Sequence, residues 1–127
     1  MDFNQFTVKS QEAIQTAAEL AMAQQQQAIE PAHLLKGIFS EDENVIGFIF
    51  KKLGVNKAFV EQKADEIIKS YPKVTGQQPY LSNAANQVLA KAKDNLKIFG
   101  DEFVAIEHLL LAILAGADKI SQLLKDQ

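Results

Sequence analysis

Two histidines, His33 and His108, are the side chains best suited to bind a metal or move a proton near neutral pH. A metal site needs three or four ligands in defined geometry, and the chain has no cysteine to help complete one. Two imidazoles at matched places in a duplicated chain read instead as helix-packing residues, so no metal is expected. The sixteen carboxylates include the run Glu41-Asp42-Glu43. A catalytic pair would need one carboxyl in an apolar pocket to raise its pKa, and this run reads as a solvated loop and helix start. The six glycines, at positions 37, 47, 54, 76, 100 and 116, are too scattered to build a phosphate-cradling loop. No Gly-Lys-Thr element of a nucleotide-binding loop is present. The residue types point away from catalysis: no enzyme and no cofactor are expected.

Charge narrows the partners further. All 13 basic residues are lysine, and the formal net charge is -3. Arginine is the usual reader of phosphates and guanine edges, because its planar fork engages two acceptors together. A slightly acidic chain without it is a poor nucleic-acid binder. The longest purely apolar run, Leu109 to Ala115, is far too short to cross a bilayer, so no membrane partner is expected. No basic stretch leads into an apolar one at the N-terminus, so no secretory signal is expected. Absence of cysteine suits a reducing compartment, and a cytoplasmic location is expected.

The elements that must position these residues read as helices. Thr7 is a good N-cap, followed at three- and four-residue spacing by Ala13, Ile14, Ala17, Ala18, Ala21 and Met22. Phe6 suits the staple position before that cap. Glutamines 24 to 27 continue that helix or end it as a solvated last turn. Pro31 opens a second helix bearing Leu34, Leu35, Ile38 and Phe39. A third runs from about Val45 to Leu53 and stops at Gly54. Asn56 caps a fourth, with Phe59, Val60, Ala64, Ile67 and Ile68 on its expected buried face. Residues 71–80 contain Pro72, Gly76 and Pro79 and read as a linker without regular structure. Ser82 caps a fifth helix carrying Ala85, Val88, Leu89, Ala92, Leu96 and Phe99, closed by Gly100. A sixth holds Leu109, Leu110, Ile113 and Leu114; a seventh holds Ile120, Leu123 and Leu124. No run alternates polar and apolar residues over strand length. The fold class is all-α.

The order repeats at one offset of 75 residues. Thr7 answers Ser82, Ile14 answers Leu89, Ala17 answers Ala92, His33 answers His108 and Ile38 answers Ile113. A gapless match over two helices implies a duplicated helical unit with pseudo-twofold symmetry, each half covering the apolar face of the other. One domain over 1–127 is expected, with repeat one at about 6–70, a linker at 71–81 and repeat two at about 82–127. The seam between halves is the expected place for a ligand groove.

These residues resemble the duplicated Clp N-terminal domain, or Clp repeat domain. The resemblance rests on Phe6-Thr7-Val8-Lys9-Ser10-Gln11-Glu12-Ala13 and Ile29-Glu30-Pro31-Ala32-His33-Leu34-Leu35. The matching second copy ends in Gly100-Asp101-Glu102-Phe103 and Glu107-His108-Leu109-Leu110. It covers nearly the whole chain and is similar to the ClpB-type disaggregase branch through the Asp2-to-Thr7 start and Lys51-Lys52-Leu53-Gly54-Val55. It implies a module that engages unfolded or aggregated polypeptide before an ATP-driven hexameric ring threads it. DnaK-type chaperones would cooperate through other domains of the parent protein. The alternative it allows is the adaptor-docking domain of a ClpA- or ClpC-type unfoldase of a protease.

The resemblance also implies that Thr7, Asp101 and Glu107 handle substrate. Each has a plain structural reading beside it. Thr7 is an N-cap worth about 1 kcal/mol, Asp101 eases the turn after Gly100, and Glu107 sits where negative charge favours a helix start. Positions 91, 95 and 108 carry Lys, Asn and His where apolar groove residues are expected in relatives.

Overall fold

Thr7 and Ser82 start the two longest helices in the same way. Each hydroxyl oxygen accepts the backbone N–H three residues on, from Ser10 at 3.1 Å and from Ala85 at 3.0 Å. The computed structural model describes residues 3–41, 43–74, 76, 78–116 and 118–126. Asp2, Asp42, Gln127 and the side chain of Phe99, all used in the sequence reading, lie outside the described residues.

The helices are α1 (Val8–Ala23), α2 (Pro31–Glu41), α3 (Glu43–Leu53), α4 (Lys57–Lys69), α5 (Asn83–Phe99), α6 (Ile106–Leu114) and α7 (Lys119–Lys125). The all-α expectation holds. Asn56 and Asp118 cap α4 and α7 through their side-chain oxygens. Two short strands, β1 (Ala28–Ile29) and β2 (Tyr80–Leu81), pair in parallel. Tyr80, expected in an irregular linker, is therefore in β2.

A single core cluster draws on α1 to α7. Its tightest contact joins α1 to α2. Ala13, Ala17 and Ala21 are almost fully buried there, and a Cβ on Gly37 would overlap the carbonyl oxygen of Ala13. Small residues on both helices permit that approach. Lys36 fixes α2 to α4 by reaching Glu61 at 3.0 Å and Asp65 at 3.1 Å. Burial pulls its pKa down, but the hydrogen bonds and charges of the two carboxylates outweigh that and hold it above the ordinary lysine value.

Some expected core positions face solvent. Met22 is exposed because it lies on the last turn of α1, beside the 71–80 segment. Phe59 is partly exposed on the first turn of α4, where the Lys63 ammonium covers its ring at 5.5 Å. Phe6 is buried as the staple reading requires, in edge contact with the half-buried Phe3. Its anchor is polar, however: Gln11 Nε2 donates to the carbonyl of Phe6 at 2.9 Å.

The main chain shows the pseudo-twofold directly. Phe6 pairs with Val104, and Leu81, which answers Phe6, pairs with Ile29, which answers Val104. Thr7 N–H donates to the Val104 carbonyl at 2.9 Å, and Ser82 N–H donates to that of Ile29 at 3.1 Å. At the same offset α7 falls on α3, while α4 has no counterpart among the described residues.

Candidate functional site

The two histidines do the same structural work in each half. His33 Nδ1 accepts the Glu30 N–H at 2.9 Å, and His108 Nδ1 accepts the Ala105 N–H at 2.8 Å. Each imidazole thus satisfies an orphan donor at a helix start, as Glu or Gln does in a capping box. An accepting Nδ1 leaves the proton on Nε2. That proton goes to Gln26 Oε1 at 2.7 Å in the first half and to Asp101 Oδ2 at 2.8 Å in the second. Gln26 and Asp101 are themselves equivalent positions. Burial lowers the His33 pKa to about 4, so it is neutral at physiological pH. Tyr71 packs its ring 5.5 Å from His33, and burial pushes its phenol well up.

Gln26 corrects the reading of glutamines 24 to 27 as a wet surface. It is buried, and its Nε2 donates to the Ile68 carbonyl at 2.6 Å, tying the end of α1 to the end of α4. Its only signal in the sequence is its place seven residues before a histidine, shared with Asp101.

Thr7 meets the second half at Val104, which stands three residues along the chain from both Asp101 and Glu107. The Thr7 hydroxyl donates to Ser10 Oγ at 2.9 Å, and Ser10 Oγ donates to the Val104 carbonyl at 2.8 Å. Thr7 is therefore a working cap, and its one proton is spent inside the protein. Asp101 closes on His108 yet keeps half of its side chain exposed. Glu107 is exposed in the first turn of α6, whereas its counterpart Ala32 is fully buried. Phe103 and Leu111, on the same 101–111 stretch of chain, are exposed at 50% and 44%. Leu111 stands one turn from Glu107 on the same helix face. The 101–111 stretch thus offers two carboxylates and two uncovered apolar side chains. It can accept main-chain N–H groups and cover apolar side chains, and it holds no nucleophile–base pair.

The seam expected to form a groove is closed. Main-chain pairing at Phe6–Val104 and Ile29–Leu81, with core residues from both halves, fills it. Open depressions lie around it. One of about 280 Å³ runs between α5 and α6, lined by Val88, Lys91 and Ala112. Others flank the C-terminal ends of α1 and α5. Of the three departures noted in the sequence, Lys91 is exposed on the α5–α6 depression, Asn95 is half-buried, and His108 is committed to the α6 start.

Among the described residues, no group of three or more His, Asp or Glu side chains could hold a metal ion. No helix among them is long and apolar enough to cross a membrane.

A family model, the Clp repeat (R) N-terminal domain, matches residues 5–127. The chaperone protein ClpB of Bacteroides thetaiotaomicron is 52% identical over 126 residues, covering 99% of this chain and 15% of that protein. The chaperone protein ClpB of Porphyromonas gingivalis is 45% identical, with the same coverage of both chains. The chain therefore spans about 15% of the length of these curated relatives. Among solved structures, the Hsp104 N-terminal domain from Candida albicans superposes with a TM-score of 0.81 at 25% identity. That match covers 97% of this chain and 81% of the other.

Proposed function

The chain belongs to the Clp repeat (R) N-terminal domain family, and we propose that it is the protein-binding module of a ClpB-type ATP-dependent disaggregase. In this reading it engages unfolded or aggregated polypeptide in the cytoplasm before the hexameric ring of the parent chaperone threads it. DnaK-type chaperones would meet the parent protein through other domains. The chain corresponds to the N-terminal domain alone, which is non-catalytic.

The observation that carries the reading is the Asp101–Leu111 edge, a stretch that carries solvent-facing carboxylates at Asp101 and Glu107 and the exposed Phe103 and Leu111. An unfolded client has both kinds of group to offer it: unpaired backbone N–H donors and uncovered apolar side chains. Asp101 and Glu107 would accept the donors, with Thr7 holding the strand that positions their turn. Such a contact is small, at the low end of interface sizes, below about 1,200 Å². Weak binding lets a client be passed on, and several copies on one ring restore avidity.

The test is to compare one labelled protein in two forms, disulfide-intact and folded, or reduced and permanently unfolded, by fluorescence anisotropy against this domain. Saturable binding to the unfolded form alone is expected. Binding to neither form refutes the reading, and preference for the folded form would favour adaptor docking.

A further inference from the structure

The 71–80 segment builds a pocket as it crosses from one half to the other. Val74 donates its N–H to the Gln25 carbonyl at 2.7 Å, and Tyr80 donates to that of Gln27 at 2.9 Å. Tyr71 is held at the other end, its N–H on the Ile68 carbonyl at 3.1 Å and its ring 5.5 Å from that of His33. Between these pinned residues and the start of α2 lies a depression of about 220 Å³, whose lining includes Ala28, Glu30, Tyr71, Pro72, Val74 and Tyr80. Ala28 pairs with Tyr80 across β1 and β2 and keeps the space beside that ring open. The positions 75 residues from Ala28, Glu30 and Tyr80 hold Phe103, Ala105 and Gln5, so this lining is not a copied packing feature.

Glu30 is the charged side chain of the lining. It is half-buried, and among the described residues its carboxylate has no hydrogen-bond or ion-pair partner. Capping does not account for it, because the His33 N–H goes to the Glu30 main-chain carbonyl. After burial itself, the charges of Glu30 and Asp118 hold the Tyr71 phenol above its ordinary range. Lys69, Lys73 and Lys119, chain neighbours of Tyr71 and Asp118, are exposed, and none of them lines the pocket. A half-buried carboxylate beside two phenol rings has the chemistry of a cation site. The carboxylate supplies charge and hydrogen-bond acceptors, and the ring faces attract the cation through their quadrupoles.

We infer that this pocket seats a basic side chain, arginine or lysine, of an extended polypeptide. The inference rests on the client-binding reading and gives it a second point of contact, one that shares no residue with the 101–111 stretch. The volume lies below the roughly 300–1,000 Å³ of sites for drug-sized ligands and suits a single side chain. The methylene stem would lie along Pro72 and Val74, with the charged head on Glu30 and the exposed Tyr80 ring beside it. Arginine fits best, because its planar guanidinium both stacks on a ring and engages a carboxylate through two N–H donors.

The experiment titrates the isotope-labelled domain with capped Ala-Ala-X-Ala-Ala peptides, X being arginine, lysine, glutamine or leucine, and follows backbone amide shifts. Saturable shifts at Gln27 to Glu30, Tyr71, Val74 and Tyr80 are expected with arginine and lysine, and none with glutamine or leucine. Glu30→Gln should weaken the arginine peptide about fivefold and Tyr80→Ala about threefold. The Glu30 carboxylate makes no bond in the fold, so Glu30→Gln should melt with wild type. Equal binding of the leucine peptide, shifts elsewhere, or unchanged affinity in Glu30→Gln overturns the inference. A permanently unfolded protein is titrated alongside. If it binds while no peptide does, the pocket inference fails alone; if neither it nor any peptide binds, the client-binding reading fails with it.

Discussion

His108 Nε2 lies 2.8 Å from Asp101 Oδ2, in the place where His33 meets Gln26 in the first half. One half closes this buried contact on a neutral amide and the other on a half-exposed carboxylate. Asp101 therefore holds the start of α6 and faces solvent at once.

Its two roles separate by substitution. Asp101→Asn keeps a side-chain oxygen for His108, as Gln26 does for His33, and should stay within about 1 kcal/mol of wild type in urea unfolding. Asp101→Ala strands a buried imidazole N–H and should cost about 1–3 kcal/mol. Equal losses would mean that the hydrogen bond contributes nothing.

Thr7 needs the same separation. Its hydroxyl caps α1 through Ser10 N–H, so Thr7→Ala should cost about 1–2 kcal/mol. Thr7→Ser keeps the oxygen and should unfold close to wild type. A Thr7→Ala variant that melts with wild type would contradict the cap, and client-binding losses are interpretable only against Thr7→Ser.

His33 makes stability fall in acid. Folded, it stays neutral down to about pH 4, while an unfolded histidine titrates near 6.5. Between those values the unfolded chain binds the extra proton. The contribution is therefore full above pH 6.5 and is lost as pH falls toward 4, by at most about 3 kcal/mol. Protonation would also set Nδ1–H against the Glu30 N–H. Urea midpoints for wild type should drop more steeply over this range than those of His33→Gln, and parallel curves would refute the assignment.

The two helix ends offer a reciprocal pair. Gln25 adopts φ of 58° where Gly100 adopts 70°. A side chain in that conformation costs about 1 kcal/mol relative to glycine. Gln25→Gly should raise thermal stability and Gly100→Ala should lower it, each by about that amount. Opposite signs in calorimetry would show that the chain end, not backbone strain, sets the energy.

Helix positions and the duplication were legible in the sequence because caps and apolar spacing are local signals. Thr7, Ser82, Asn56 and Gly100 each mark a boundary with their own chemistry. Placement of α3 was off only at its start, Glu43, because the apolar spacing begins two residues later at Val45. Burial was less legible. Met22 and Phe59 fall on the right stripe but at helix ends, where the partner helix no longer covers them. Gln26 looked like solvent-facing polarity, since its bonds to His33 and Ile68 join residues 7 and 42 positions apart. The seam was misplaced for a similar reason. Periodicity shows that two halves meet, but not that their strands Phe6 and Leu81 cross over and seal the junction. Of the candidate site, that Asp101 and Glu107 share one short stretch follows from their spacing. That Thr7 joins them through Ser10 and Val104 does not.

The account turns on the acidic edge gripping unfolded chain. The most direct measurement is the affinity of the Asp101→Asn/Glu107→Gln double variant for a permanently unfolded protein, with its melting temperature checked against wild type. Binding weakened about fivefold or more, roughly 1 kcal/mol, at a melting temperature within about 3 °C of wild type is the result expected. Unchanged affinity in a folded double variant would contradict it.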